Sequence, residues 1–488
     1  MELRSGRYIA SGEARRRVEL RRTTPVVPDH ISDLPDDLLL LILARLGCVA
    51  TAARTGVLAR RWRGLWTRLL ALVFPNIPFR SVKTALGAIR TAGGEVALLD
   101  IRVARATRQV TALLRSAAWL RLEELVLDVP SDLRNMFMHV DLPCFDRTTF
   151  ISLSIGNGMY PAELRFPRVG AGGQHMFPAL TTLVLSGYYV DDGLAALLPH
   201  CPRLRVLRYA VRNVWTSRED YAVTVHSATL RELVVEERTD LSRVDIATPM
   251  LNQLTLSCVA TGDLNTVLIV APMAEKVSWC CCHRIPTGFG CWRLEMVSLT
   301  SPAPAAETRR RPWLLSIHAR KGIASGKLWM HKVNRLEKEV EKHLQLQVAT
   351  DISVMDLELH LNSAGHVYGA LVLHLLGIRR IRMALRRLKL ALLPQYYREG
   401  GGCHPFCQCG STEWRSQTIS LTELELVEIH VFQGEDHQFE FLEVISRCAP
   451  MLRRVTVKTR ENAVSIHARI RNIFKAHPSV ECLVLSSE

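Results

Sequence analysis

The sequence predicts an α/β protein: a small three-helix unit near the N-terminus, then an irregular solenoid of strand-bearing repeats. Two patterns carry this. Apolar residues recur at helical spacing between about residues 30 and 70, and short segments of the form Leu-x-x-Leu-x-Leu recur from about residue 95 onward. The chain is also long, at 488 residues with 48% hydrophobic content, enough for two or three units and a large core.

In the helical unit, placed at 29–70, Pro35 suits a first helical turn, and Asp36 and Asp37 favour its positive end. Leu38, Leu41, Ile42 and Leu46 follow at helical spacing, and Gly47 is a stop signal. A second short helix is expected from Thr51 to about Thr55. A third is expected to carry Leu58, Trp62, Leu65, Trp66 and Leu69, with the two tryptophans four apart and so on one face. Three helices this short bury little surface, so the unit needs a partner or the following domain for full stability.

The repeat domain, 95–488, is read from eight triplets. Five are Leu122, Leu125, Leu127; Leu180, Leu183, Leu185; Leu204, Leu207, Tyr209; Leu230, Leu233, Val235; and Leu251, Leu254, Leu256. Three more are Leu421, Leu424, Leu426; Leu452, Val455, Val457; and Val480, Leu483, Leu485. Where densest, they are spaced as leucine-rich repeats are: each supplies a short strand whose inward side chains stack on the next repeat. The pattern fades between 130 and 180 and between 260 and 350. Loops are expected at 301–310 and 396–414, and a strand from Ile352 to Leu361; Ala370 to Leu376 fits helix or buried strand equally.

The formal charge of +15 permits acidic partners without naming one. Aromatics are few, at 6%, and there is no zinc-finger, RNP or basic-zipper pattern, which disfavours a nucleic-acid partner. No window of about 18 apolar residues argues for a membrane span, and the arginine-rich start lacks the apolar stretch of a secretory signal. Residues 1–28 read as a disordered basic tail in which Arg15, Arg16, Arg17, Arg21 and Arg22 also fit a nuclear import signal. The thirteen cysteines then read as reduced, in the nucleus or cytoplasm or both.

The segment 31–46, ISDLPDDLLLLILARL, and its continuation 52–66, AARTGVLARRWRGLW, resemble an F-box. The repeats behind it resemble those of the plant F-box/leucine-rich repeat family, especially its grass members. The stretches WRSQTISLTELELVEIH at 414–430 and EFLEVISRCAPMLRRVTV at 440–457 resemble the FBD-type ending of that family, which places an FBD-like region at 414–488. The resemblance implies a non-catalytic substrate-recognition subunit of an SCF-type, cullin-based ubiquitin ligase. Its F-box would dock on the linker subunit, and through it the cullin, while the repeats hold a protein substrate. Leu34 and Pro35 match the family's leading pair, Leu38, Ile42 and Leu46 its first helix, and Val57, Leu58, Trp62 and Trp66 its later face. Gly56 stands where a serine is common. The alternative is a repeat-type interaction scaffold outside any ligase.

No phosphate-binding loop, metalloprotease motif or nucleophile elbow is present, so no catalytic residue is assigned. Cys403, His404, Cys407 and Cys409 form the tightest zinc-like cluster, and Cys280, Cys281 and Cys282 with His283 and Cys291 another. Both are read as structural, so no metal or cofactor is expected. The basic run Arg379, Arg380, Arg382, Arg386, Arg387 and Lys389 is interleaved with aliphatic residues. It reads as a repeat element with a basic outer face, and as a site for an acidic or phosphorylated ligand in second place.

Overall fold

A computed structural model describes residue 31 and residues 34–486, apart from 106–108, 131–138, 157–161, 167–175, 191–192, 212–221, 261–265, 284–287, 290–291, 303–311, 322–335, 350–351, 364–365, 394–411 and 460–462. The basic tail, Cys291 and the Cys403–Cys409 cluster lie outside the described residues. The rest is a small helical bundle followed by an extended, β-rich region of leucine-rich repeat type.

The bundle has two α-helices, α1 (Asp36–Arg45) and α2 (Val49–Arg54). The expected third helix is absent. A 3₁₀ turn at Thr55–Val57 follows α2, and the residues of the expected helix form two more, Arg60–Trp62 and Leu65–Arg68. Ala59 and Arg63 are extended, and Gly64 sits at φ 81°, a left-handed conformation that glycine adopts without steric cost. The helical spacing of Leu58, Trp62 and Trp66 therefore does not make one face. Asp36 and Asp37 occupy the first turn of α1 and Arg45 its last, as the helix dipole favours.

Behind the bundle, sixteen strands stack side by side in chain order. They are β1 (Ala71–Ile77), β2 (Leu98–Val103), β3 (Glu124–Val129), β4 (Phe150–Ile155), β5 (Thr182–Ser186), β6 (Val206–Val211), β7 (Glu232–Asp240) and β8 (Gln253–Ala260). They continue as β9 (Lys276–His283), β10 (Trp292–Thr300), β11 (Trp313–Lys321), β12 (Met355–Asn362), β13 (Leu385–Leu392), β14 (Leu426–Phe432), β15 (Arg454–Thr459) and β16 (Glu481–Ser486). A two-residue strand, Gly288–Phe289, completes a 17-stranded sheet. Neighbours are parallel throughout except around β10, which runs antiparallel to both β9 and β11. This reversal lies inside 260–350, where the sequence repeat fades.

Every second residue of each strand points into one continuous core. A single row crosses the sheet from Phe74 through Ile101, Leu127, Leu153, Leu185, Tyr209, Val235 and Leu256 to Trp279. It passes through Leu299 and goes on by Leu315, Leu357, Leu388, Val427 and Val455 to Cys482. Each such aliphatic side chain contributes about 1.5–3 kcal/mol by leaving water. Two triplets read from sequence are out of register with this row. The core residues of β14 are Leu424, Val427 and Ile429, and Leu426 faces outward beside Arg387 and Arg454. In β16, Cys482 and Val484 continue the row, and Leu483 and Leu485 lie over Thr456 and Lys458.

The return segments change type along the chain. Near the start they are helices, α3 (Phe79–Ala92) and α4 (Val110–Ala118). In the middle they are short parallel strands, one set at His139–Asp141, Ala162–Arg165 and Tyr188–Val190 and another at Ala222–His226, Arg243–Ala247, Thr266–Ala271 and Gln347–Val348. Helices return as α5 (Leu336–Leu344), α6 (Gly369–Gly377), α7 (Arg379–Ala384), α8 (Asp436–Cys448) and α9 (Ala463–Ile473). The ambiguous Ala370 to Leu376 stretch is thus helical. Within 414–486 the strands and helices alternate and extend the same sheet.

Candidate functional site

Helix α1 has apolar residues on both sides. Leu39 and Leu43 are buried against the bundle core. Leu38, Leu41, Ile42 and Leu46 are exposed, and Leu41, 61% exposed, lies two residues from each of Leu39 and Leu43 and so on the side opposite both. The turn after α2 exposes Val57 by 88% and Leu58 by 73%. Scattered exposed aliphatics are ordinary, but six within one small bundle make it a candidate interaction surface.

Asp36 ties these parts together. Arg61 donates to its Oδ1 from Nε at 3.0 Å and from Nη2 at 2.8 Å, and Arg68 donates to Oδ2 at 3.1 Å. The start of α1 is thereby held against the Arg60–Trp62 turn, which packs on the turn bearing Val57. The hydrogen bond from Arg61 is the largest influence on the Asp36 carboxyl and, with the Arg61 charge and the hydrogen bond and charge of Arg68, holds it below its ordinary range against the opposing effect of desolvation.

The nine residues expected at the docking surface divide into three groups. Pro35, Leu38, Ile42, Leu46, Val57 and Leu58 are exposed. Leu34 and Trp66 are half-buried and pack against the core. Trp62 is a core residue, 3% exposed, because the turn that carries it folds inward; it holds the bundle and is not an exposed anchor. Leu41, which the spacing included but the resemblance did not assign to docking, is also exposed. At Gly56 an added Cβ would meet nothing closer than 3.6 Å, so the departure from serine carries no steric cause.

The outward face of the sheet is a second candidate surface. In β1–β9 it mixes small residues, among them Ser152, Ser154, Ser186, Ala210 and Thr255, with charged ones such as Asp100, Glu124, Arg208 and Glu232. A shallow depression of ≈ 280 Å³ is lined there by Val184, Ser186, Arg208, Glu232, Val234 and Gln253 among others. In β11–β15 the face is charged and internally paired. Lys389 donates to Glu358 at 3.0 Å, Arg387 to Glu428 at 2.7 Å and Arg386 to Glu425 at 3.2 Å. The imidazoles of His318 and His360 stack with centroids 4.1 Å apart. Burial lowers the His318 and His430 imidazoles and raises the Asp356 carboxyl, although Arg387 and Arg386 oppose the last.

These pairs divide the basic run. Arg386, Arg387 and Lys389 lie on the sheet with carboxylate partners, whereas Arg379, Arg380 and Arg382 lie on α7. Arg380 donates to the Leu344 carbonyl at the side of a cleft of ≈ 780 Å³. Cys280 and Cys282 point outward and Cys281 inward, where it meets Cys258 of the neighbouring strand. Among the described residues no group of three or more His, Cys, Asp or Glu side chains is arranged to hold a metal ion, and no helix is long and apolar enough to cross a membrane.

Residues 110–277 match a family model described as "FBD-associated F-box protein At5g56370, LRR repeats". Three proteins of Arabidopsis thaliana are similar over short segments. The F-box/FBD/LRR-repeat protein At2g04230 is 51% identical over 55 residues, 11% of this chain and 12% of that protein. The F-box protein At1g80960 is 50% identical over 46 residues, 9% of each. The putative FBD-associated F-box protein At5g56560 is 38% identical over 62 residues, 12% of this chain and 15% of that protein. The matched segments thus span only 9% to 15% of the relatives' own length. Nothing in these matches singles out the grasses.

Proposed function

We propose, from the premise that the chain is an F-box/FBD/LRR-family plant protein, that it is a non-catalytic substrate receptor of an SCF-type ubiquitin ligase. The bundle at 34–69 docks on the linker subunit, and through it the cullin, while the repeat sheet presents a protein substrate. The observation that carries this reading is the exposed aliphatic set Leu38, Leu41, Ile42, Leu46, Val57 and Leu58 on a bundle whose own core is filled by Leu39, Leu43 and Trp62. A helix face that stays apolar after folding is suited to a partner's groove. The receptor accelerates transfer by proximity, holding the substrate beside the ubiquitin-charged enzyme of the complex.

The test is binding of the full chain to purified linker protein, with two variants for comparison. One is Leu34→Ala/Pro35→Ala and the other Val57→Asp/Leu58→Asp, each checked for folding by circular dichroism. Submicromolar binding by the parent, lost in the second variant, supports the docking role. A folded parent that does not bind leaves a repeat-type interaction scaffold as the better reading.

A further inference from the structure

The bundle's charge is as lopsided as its apolar face is exposed. Across the bundle, residues 34–69, six basic residues, Arg45, Arg54, Arg60, Arg61, Arg63 and Arg68, stand against two acidic ones, Asp36 and Asp37. Asp36 pairs with both Arg61 and Arg68. Arg45, Arg54, Arg60 and Arg63 are exposed, and among the described residues none of them has a carboxylate partner.

On the repeats the same residue type is treated differently. Arg208 pairs with Glu232, Arg386 with Glu425, Arg387 with Glu428 and Arg454 with Glu481, each across neighbouring strands. The four bundle arginines also interleave with the exposed aliphatics. Arg45 lies on the same side of α1 as Ile42 and Leu46, Arg54 precedes Val57, and Arg60 and Arg63 follow Leu58.

We infer that Arg45, Arg54, Arg60 and Arg63 form a cationic rim around the docking face, fitted to a protein partner whose apolar groove is bordered by carboxylates. The inference rests on the docking role proposed above and adds the chemistry of the partner's border. An apolar centre with a charged rim is the anatomy of a protein interface, whereas a nucleic-acid surface uses basic residues without a patch of bare aliphatics. Rim charges act mainly by steering encounter, so they raise the association rate and make it fall with salt.

The experiment measures association and dissociation rates of the full chain with purified linker protein from about 50 to about 500 mM salt. Variants are Arg60→Glu/Arg63→Glu, Arg45→Glu/Arg54→Glu, the corresponding Arg→Lys pairs, and Arg379→Glu/Arg382→Glu on the distant α7 as a control. The rim reversals should slow association at low salt by about tenfold, with the gap closing at high salt. The lysine pairs should restore the rate, and the α7 control should match the parent. Tight binding by the parent with no salt dependence, and reversals that associate as the parent does, would overturn the rim while leaving docking intact. A parent that does not bind overturns both. A short duplex DNA serves as a second probe: binding to it that the rim reversals abolish and Val57→Asp leaves unchanged would assign the basic face to nucleic acid and overturn the inference.

Discussion

Arg61 closes a fork on the single oxygen Oδ1 of Asp36, with Nε at 3.0 Å and Nη2 at 2.8 Å. This pair joins the first residue of α1 to a turn twenty-five positions away. It does so at the surface, so its role is to fix geometry more than to supply stability.

Replacing Asp36 by Asn should loosen that junction. The carboxyl is held below its ordinary value, so it stabilises the folded bundle above the ordinary carboxylate range. The contribution is lost as pH falls through the depressed value. Hydrogen exchange of residues 36–68 should therefore be faster in Asp36→Asn than in the parent at neutral pH. The two should converge in acid, as the parent carboxyl itself becomes protonated below the ordinary carboxylate range.

His343 gives the repeat region an acid-sensitive point. It is fully buried, stacks on Trp279 at 3.9 Å and engages the Glu339 carbonyl through Nδ1 at 2.9 Å. Burial pushes its pKa down to about 3. The unfolded chain takes up a proton near the ordinary histidine value and the folded one does not. Stability is thus full above that value and falls with acid by at most about 1.4 kcal/mol per pH unit between it and about 3. His343→Phe should flatten this limb in urea titrations run across that window. An unchanged slope would place the acid sensitivity elsewhere.

Gly187 follows β5 at φ 78°, and a Cβ there would lie 2.4 Å from the Ile155 carbonyl oxygen. Backbone cannot yield as a side chain would. Gly187→Ala should cost about 2–4 kcal/mol from left-handed strain plus overpacking. Thermal melting of the purified variant gives the comparison.

The register of β14 separates two leucines of similar sequence context. Leu424 is buried and Leu426 faces out. Leu424→Ala should cost about 2–5 kcal/mol and Leu426→Ala well under half of that. Equal losses in denaturant titrations would mean that the strand is read in the wrong register.

These leucines also show how far the sequence speaks. Alternation fixed the inward residues wherever the triplet is aliphatic at all three places, as at Leu204, Leu207 and Tyr209. It slipped at Leu421 and Val480, where extra leucines on the outward side fit the same spacing. The fourth strand was hidden because Thr148 stands where a leucine is expected; it is nonetheless buried and donates to the Leu122 carbonyl at 2.8 Å. In the bundle, the period of α1 marked its apolar residues but not which of them would be exposed. The third helix did not form because a left-handed Gly64 and extended neighbours interrupt it, and Trp62 turned inward as a result. The unpaired arginines were countable in the sequence, but which of them Asp36 would neutralise required the fold.

The reversed strand β10 has a consequence for how the solenoid comes together in time. Elsewhere a strand waits for a full repeat of chain before its neighbour exists, as between Leu233 and Leu254. Around β10, Cys282 meets Met296 and Thr300 meets Leu314 across spans about a third shorter. Short loops close in tens of nanoseconds and at the least entropic cost. The β9–β10–β11 meander is thus the segment best able to pair first. From it the parallel ladder can grow towards both termini, each added strand finding an edge already laid down.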